Sequence, residues 1–120
     1  MPGYSPTRLV DAPALATKLG VAEVRVKDES SRIGLPSFKM LGASWAVYRS
    51  VLQRFGHAVE PWRSIDELRE KFRALSPLML TTATDGNHGR AVARMAKLLG
   101  FSSHIYVPKG TAAARIEAIR

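Results

Sequence analysis

The sequence predicts an α/β fold in which a parallel sheet is covered by helices. Three observations carry that expectation. Along the chain, apolar residues switch between a spacing of two and a spacing of three to four, the marks of strand and helix respectively. Helical and strand-like stretches alternate, as crossover connections between parallel strands require. Glycine or proline closes most stretches and so sets their boundaries.

The first element is a short helix from Asp11 to Gly20, with an acceptor at its start, Pro13 in its first turn and glycine at its end. Glu23 to Asp28 alternates as a strand with two different faces does. Glu29 to Ser37 is polar and contains Gly34 and Pro36, so it reads as a loop. From Phe38 to Phe55, Leu41, Trp45, Tyr48, Leu52 and Phe55 fall on one face of a helix that Gly56 can stop. Ser64 and Glu67 have the spacing of a capping box, opening a helix to about Leu75. Leu78 to Ala83 follows Pro77 as a buried strand. Asp85-Gly86-Asn87-His88-Gly89 joins it to a helix from about Arg90 to Leu99. Ser103 to Val107 is the third strand of the expected sheet, and Thr111 to Arg120 begins a further helix. That helix has no capping residue, and three parallel strands leave raw edges, so residues 1–120 read as the N-terminal part of a larger domain.

Composition narrows the function classes. The 120 residues are 46% apolar and 23% charged, which suits one globular core. Cysteine is absent, so disulfides and thiolate metal sites are excluded. His57, His88 and His104 have no suitably spaced carboxylates, so no metal is expected. The net charge of +8 comes from basic residues scattered between Arg8 and Arg120. They form no dense run and no aromatic residues interleave with them, so nucleic acid is not an expected partner. No apolar run approaches the roughly 20 residues needed to cross a bilayer, so no membrane partner is expected either. The opening residues lack the regions of a signal peptide, which makes cytoplasm the expected location.

Two loops can do chemistry, because each opens a helix after a strand, where α/β sheets usually bind ligands. Lys39 sits at the start of a helix beside Phe38, Met40 and Leu41. The helix dipole and apolar neighbours both favour a neutral amine able to attack a carbonyl. An ordinary surface lysine with its stem along the helix would look the same in sequence. In the second loop, Gly86 and Gly89 remove side chains where the backbone turns or approaches a flat group. Asn87 offers both a donor and an acceptor, suited to a ring hydroxyl. The plainer alternative is a strand-to-helix turn in which Asp85 or Asn87 is the cap.

Together these loops resemble a known family. Val26-Lys27-Asp28-Glu29-Ser30, Gly34-Leu35, Ser37-Phe38-Lys39 with Gly42-Ala43, and Gly86-Asn87-His88-Gly89 are similar, in order, to motifs of the tryptophan-synthase-β-like (fold type II) pyridoxal-phosphate (PLP) enzymes. Tyr4 to Leu9 is similar to the family's Pro-Thr-Pro-Leu opening, with Arg8 in place of the second proline. Asp85 ahead of Gly86, and the long insertion from about Phe55 to Leu78, resemble the branch that removes ammonia from 2,3-diaminopropionate.

The resemblance implies PLP as cofactor, a partial fold type II domain, and α,β-elimination of ammonia from 2,3-diaminopropionate to give pyruvate. It implies that Lys39 forms the internal Schiff base and shuttles protons, that Asp85 is a second base, and that Asn87, with Gly86 and Gly89, contacts the cofactor. It also implies a small amino-acid substrate and a homodimer when full length. The family's phosphate-binding glycine loop lies downstream, so residues 1–120 alone are expected to be inactive. Two alternatives remain open: a serine/threonine dehydratase-like lyase, which needs no base at Asp85, and a non-catalytic remnant that associates with another chain.

Overall fold

The computed structural model describes residues 3–56 and 61–120. Part of the expected insertion, positions 57–60 with His57, lies outside the described residues. The chain divides into two compact units, Gly3–Phe38 and Lys39–Arg120.

In the first unit, strand β1 (Leu9–Asp11) pairs antiparallel with β2 (Arg25–Lys27), Val10 lying opposite Val26. Between them runs helix α1 (Pro13–Leu19), with proline in its first turn and Gly20 closing it at φ 66°. A side chain is strained at such an angle and glycine is not. This pairing corrects the expectation of three parallel strands. The segment around Val26 belongs to a small hairpin-like pair, because Leu9–Asp11 supplies the partner edge and Ala12 N–H continues the pairing to the Val24 carbonyl at 2.9 Å.

The loop after β2 is not solvated throughout. Arg32 is 3% exposed. Its guanidinium donates to the Glu29 carboxylate, to the Ser5 carbonyl at 2.7 Å and to the Thr7 hydroxyl at 2.9 Å, and it lies 5.2 Å above the Tyr4 ring. Thr7 in turn donates to Glu29 at 2.6 Å. Every polar atom of the cluster thus finds a partner, as burial of a charge demands. The clamp holds a backbone that would otherwise relax. Ile33 sits at φ 47° and Gly34 at φ 71°, and a β-branched residue in that region is strained.

The clamp makes an acid-stability prediction. Hydrogen bonds from Arg32, and then from Thr7, hold the Glu29 carboxyl down to about 2 from an ordinary 4.5. Folded Glu29 therefore takes up its proton at lower pH than the unfolded chain does. Its stabilising contribution is complete above about pH 4.5 and is lost as pH falls toward about 2. Asp28, held down by its bonds from Ser30, adds to the same limb. Glu29→Gln is expected to flatten the fall in melting temperature across that window. Identical acid limbs in the parent and the variant would show that the clamp does not set it.

In the second unit, β3 (Met79–Ala83) and β4 (Ser102–Tyr106) are parallel, with Thr81 opposite His104. They are joined through α4 (Asn87–Leu99), which is closed by Gly100 at φ 75°. Helices α2 (Lys39–Phe55), α3 (Ile65–Phe72) and α5 (Ala113–Ile119) all pack on α4. The core is Met40, Val47, Val51, Leu68, Phe72, Ala91, Val92, Met95, Ala96 and Leu99, with Phe101 against Phe72. Ser64 caps α3 as expected, accepting from Glu67 N–H at 3.1 Å, while the Glu67 carboxylate reaches back to Arg63 N–H at 2.7 Å. Arg69 of α3 donates to the Leu98 carbonyl at 2.8 Å, satisfying the open C-terminus of α4.

Helix α2 buries a different stripe from the one its large residues suggest. Met40, Ala43, Ser44, Val47 and Val51 are buried, whereas Trp45 is 61% exposed. Small residues let two helices approach closely, so this stripe takes the contact with α4 and the aromatic stripe turns aside. Tyr48 there meets Trp62 and Phe72 at ring separations of 5.7 and 6.4 Å.

Candidate active site

Parallel pairing of β3 with β4 runs on to Thr84, whose N–H donates to the Tyr106 carbonyl at 2.9 Å. The chain then leaves the sheet. Thr84 turns it, its hydroxyl accepting from Gly86 N–H at 3.3 Å, and Gly86 precedes the first residue of α4, Asn87. The first main-chain bond of the helix runs from Arg90 N–H to the Gly86 carbonyl at 3.1 Å. Gly86 stands at the N-cap position, where it has no side chain to offer.

Asp85, Gly86, Asn87 and Gly89 therefore stand together on one strand-to-helix connection. Asn87 is exposed and begins the helix. An added Cβ on Gly86 would meet nothing within 4 Å, so open space adjoins the turn there. Gly89 differs. It is buried, and a Cβ on it would collide with Cγ2 of Thr84, lie 2.8 Å from Cγ2 of Ile105 and 3.6 Å from Cδ1 of Ile119. Its missing side chain makes room for the sheet beneath α4. Asp85 is not the cap, since Gly86 holds that position; its carboxylate lies 3.5 Å from the Arg115 guanidinium, with side-chain exposures of 74% and 62% for Asp85 and Arg115.

Lys39 enters through another element, as the first residue of α2. Its surroundings differ from expectation: Lys39 is exposed, as is Phe38, while Met40 is fully buried. Met40 packs inward while Lys39 stays exposed, because consecutive residues on a helix face different directions. Sequence reasoning missed two residues here. Arg115 reaches Asp85, and Arg90 Nε donates to the Ala118 carbonyl at 3.1 Å, tying α5 to the start of α4. Neither pairing has a local signal, since the partners are far apart in the chain. No group of histidines and carboxylates able to hold a metal occurs among the described residues. Nor is any described helix long and apolar enough to cross a membrane.

Lys39 thus opens one helix, and the glycine-flanked Asn87 opens a neighbouring helix that follows a strand of the parallel pair. The sequence matches the pyridoxal-phosphate dependent enzyme family over residues 1–120, and the chain belongs to that family. Over 117 residues it is 41% identical to diaminopropionate ammonia-lyase of Escherichia coli (strain K12), covering 98% of this chain and 29% of that protein. Diaminopropionate ammonia-lyase of Salmonella typhimurium (strain LT2) is 37% identical over 124 residues, covering 100% of this chain and 30% of that protein. The crystal structure of the E. coli ammonia-lyase in complex with D-serine is similar with a TM-score of 0.81 at 40% identity, covering 99% of this chain and 30% of that chain. The chain thus spans less than a third of the length of the curated relatives it matches.

Proposed function

We propose that the polypeptide carrying this sequence is a PLP-dependent lyase that eliminates ammonia from 2,3-diaminopropionate, leaving pyruvate after hydrolysis. The observation that carries this reading is Asp85. An aspartate stands directly ahead of Gly86-Asn87-His88-Gly89, its carboxylate exposed beside Arg115. The names of the E. coli and Salmonella relatives supply the substrate, and the D-serine complex of the E. coli enzyme supports use of D-amino acids.

The donor set fits PLP. Lys39 has the primary amine that an aldehyde requires, Asn87 has a side-chain amide for a ring hydroxyl, and the space beside Gly86 is open. When bound, PLP supplies an electron sink that stabilises negative charge at the substrate α-carbon. Lys39 holds the cofactor and then exchanges the α-proton of the L-isomer. Asp85 takes the α-proton of the D-isomer through a carboxylate oxygen. Enantiomers present that proton on opposite faces, so two bases on two elements are needed. Asn87 orients the ring, Gly86 leaves it room, and Gly89 seats the turn against the sheet. The same reading makes the enzyme a cytoplasmic homodimer acting on a small amino acid.

Asp85→Asn tests it. In the full-length polypeptide, turnover of D-2,3-diaminopropionate is expected to fall by roughly 10²- to 10⁴-fold, with the L-isomer little changed. Pyruvate release from each isomer is the measurement. Equal activity on both isomers in the variant, alongside efficient deamination of L-serine or L-threonine, would replace this reading with the dehydratase one.

A further inference from the structure

We propose that Arg115 is a positioning residue that holds the Asp85 carboxylate ready for its proton. This rests on the role given to Asp85 above. The Asp85 carboxylate, just ahead of the glycine that opens α4, lies at Arg115. Arg115 does not arrive there on a loose segment. Its N–H is bonded to the Ala112 carbonyl at 2.9 Å in the first turn of α5. That helix is tied to α4 by the bond from Arg90 to the Ala118 carbonyl, and Ile119 packs toward Gly89.

The separation is informative. At 3.5 Å, Arg115 Nη1 and Asp85 Oδ2 form an ion pair that is longer than a good charge-assisted hydrogen bond. The guanidinium therefore orients the carboxylate by charge without forming a close hydrogen bond to it. Stability does not account for the pair, because ion pairs this exposed contribute little to folding. Without Arg115, the exposed Asp85 carboxylate loses the charge that orients it.

The test uses the full-length holoenzyme and both isomers of 2,3-diaminopropionate. Arg115→Gln is expected to lower kcat for the D-isomer by about 10- to 100-fold, with KM and all L-isomer kinetics unchanged. Arg115→Lys is expected to recover much of the loss. The double variant Asp85→Asn/Arg115→Gln is expected to be no slower than Asp85→Asn alone, as for two groups acting through one step. In the cofactor-free protein, the ¹³C carboxyl resonance of Asp85 is expected to move in Arg115→Gln and to return toward its parent position in Arg115→Lys. Equal losses on both isomers, multiplied losses in the double variant, or an unmoved resonance would each overturn the proposal. If Asp85→Asn is selective for the D-isomer and Arg115→Gln is silent, only Arg115 loses its role. If Asp85→Asn spares the D-isomer, the reading of Asp85 falls and this one falls with it.

Discussion

Lys39→Ala is expected to stop turnover of both isomers of 2,3-diaminopropionate, with a fall of roughly 10³-fold or more. The size follows from the two tasks assigned to one amine, holding the cofactor and moving protons, each worth orders of magnitude. The change should spare the fold. Lys39 is exposed at the first position of α2, and the residue that anchors this end of the helix is the fully buried Met40. A readout independent of turnover is available. Borohydride reduction of the loaded parent enzyme, followed by peptide mapping, should find PLP on the peptide containing Lys39, and the variant should retain none covalently. Label on another lysine, or a variant of near-normal activity, would remove Lys39 from the site.

Gly89→Ala is expected to cause the largest loss of stability among single changes at the site. In an ordinary helix, alanine in place of glycine gains about 1 kcal/mol. Here the new methyl meets Cγ2 of both Thr84 and Ile105, on β-branched side chains with little rotamer freedom. Overpacking of this kind typically costs about 1–3 kcal/mol, and a contact as close as that with Cγ2 of Thr84 falls toward the upper end, leaving a net loss of up to about 2 kcal/mol. It falls on the one connection that carries Asp85 and Asn87, so the D-isomer rate should fall along with melting temperature. Thr84→Ser removes one of the obstructing methyls and keeps the hydroxyl that accepts from Gly86 N–H. The double variant should therefore recover part of the loss. A Gly89→Ala protein as stable as its parent would show that α4 can lift off the sheet at no cost.

What was legible in the sequence was what neighbouring residues decide among themselves. Ser64 and Glu67 announced the start of α3 by spacing alone, and Gly20 and Gly100 announced helix ends by lacking a side chain at a left-handed turn. Gly86 and Asn87 were legible as a turn into a helix for the same reason. Pairings across long stretches of chain were not legible. Leu9–Asp11 is only three residues long and exposed, with no alternation to betray a strand, so its antiparallel pairing with Arg25–Lys27 left no local trace. The buried stripe of α2 was hidden by its more conspicuous neighbours, because volume draws the eye to Trp45 whereas close helix contact selects Ala43 and Ser44. Arg115 carried no mark of its partner. Asp85 was singled out from a motif, but that its carboxylate lies beside Arg115 is a tertiary fact.

The Arg32 clamp also bears on how the protein can be handled. Its guanidinium spans 27 residues to the Ser5 carbonyl and 25 to the Thr7 hydroxyl, so the stretch from Tyr4 to Thr7 is structural and cannot be treated as a dispensable leader. Trimming the gene to begin at Leu9 would leave a buried cation short of two acceptors and the strained Ile33 turn without its brace.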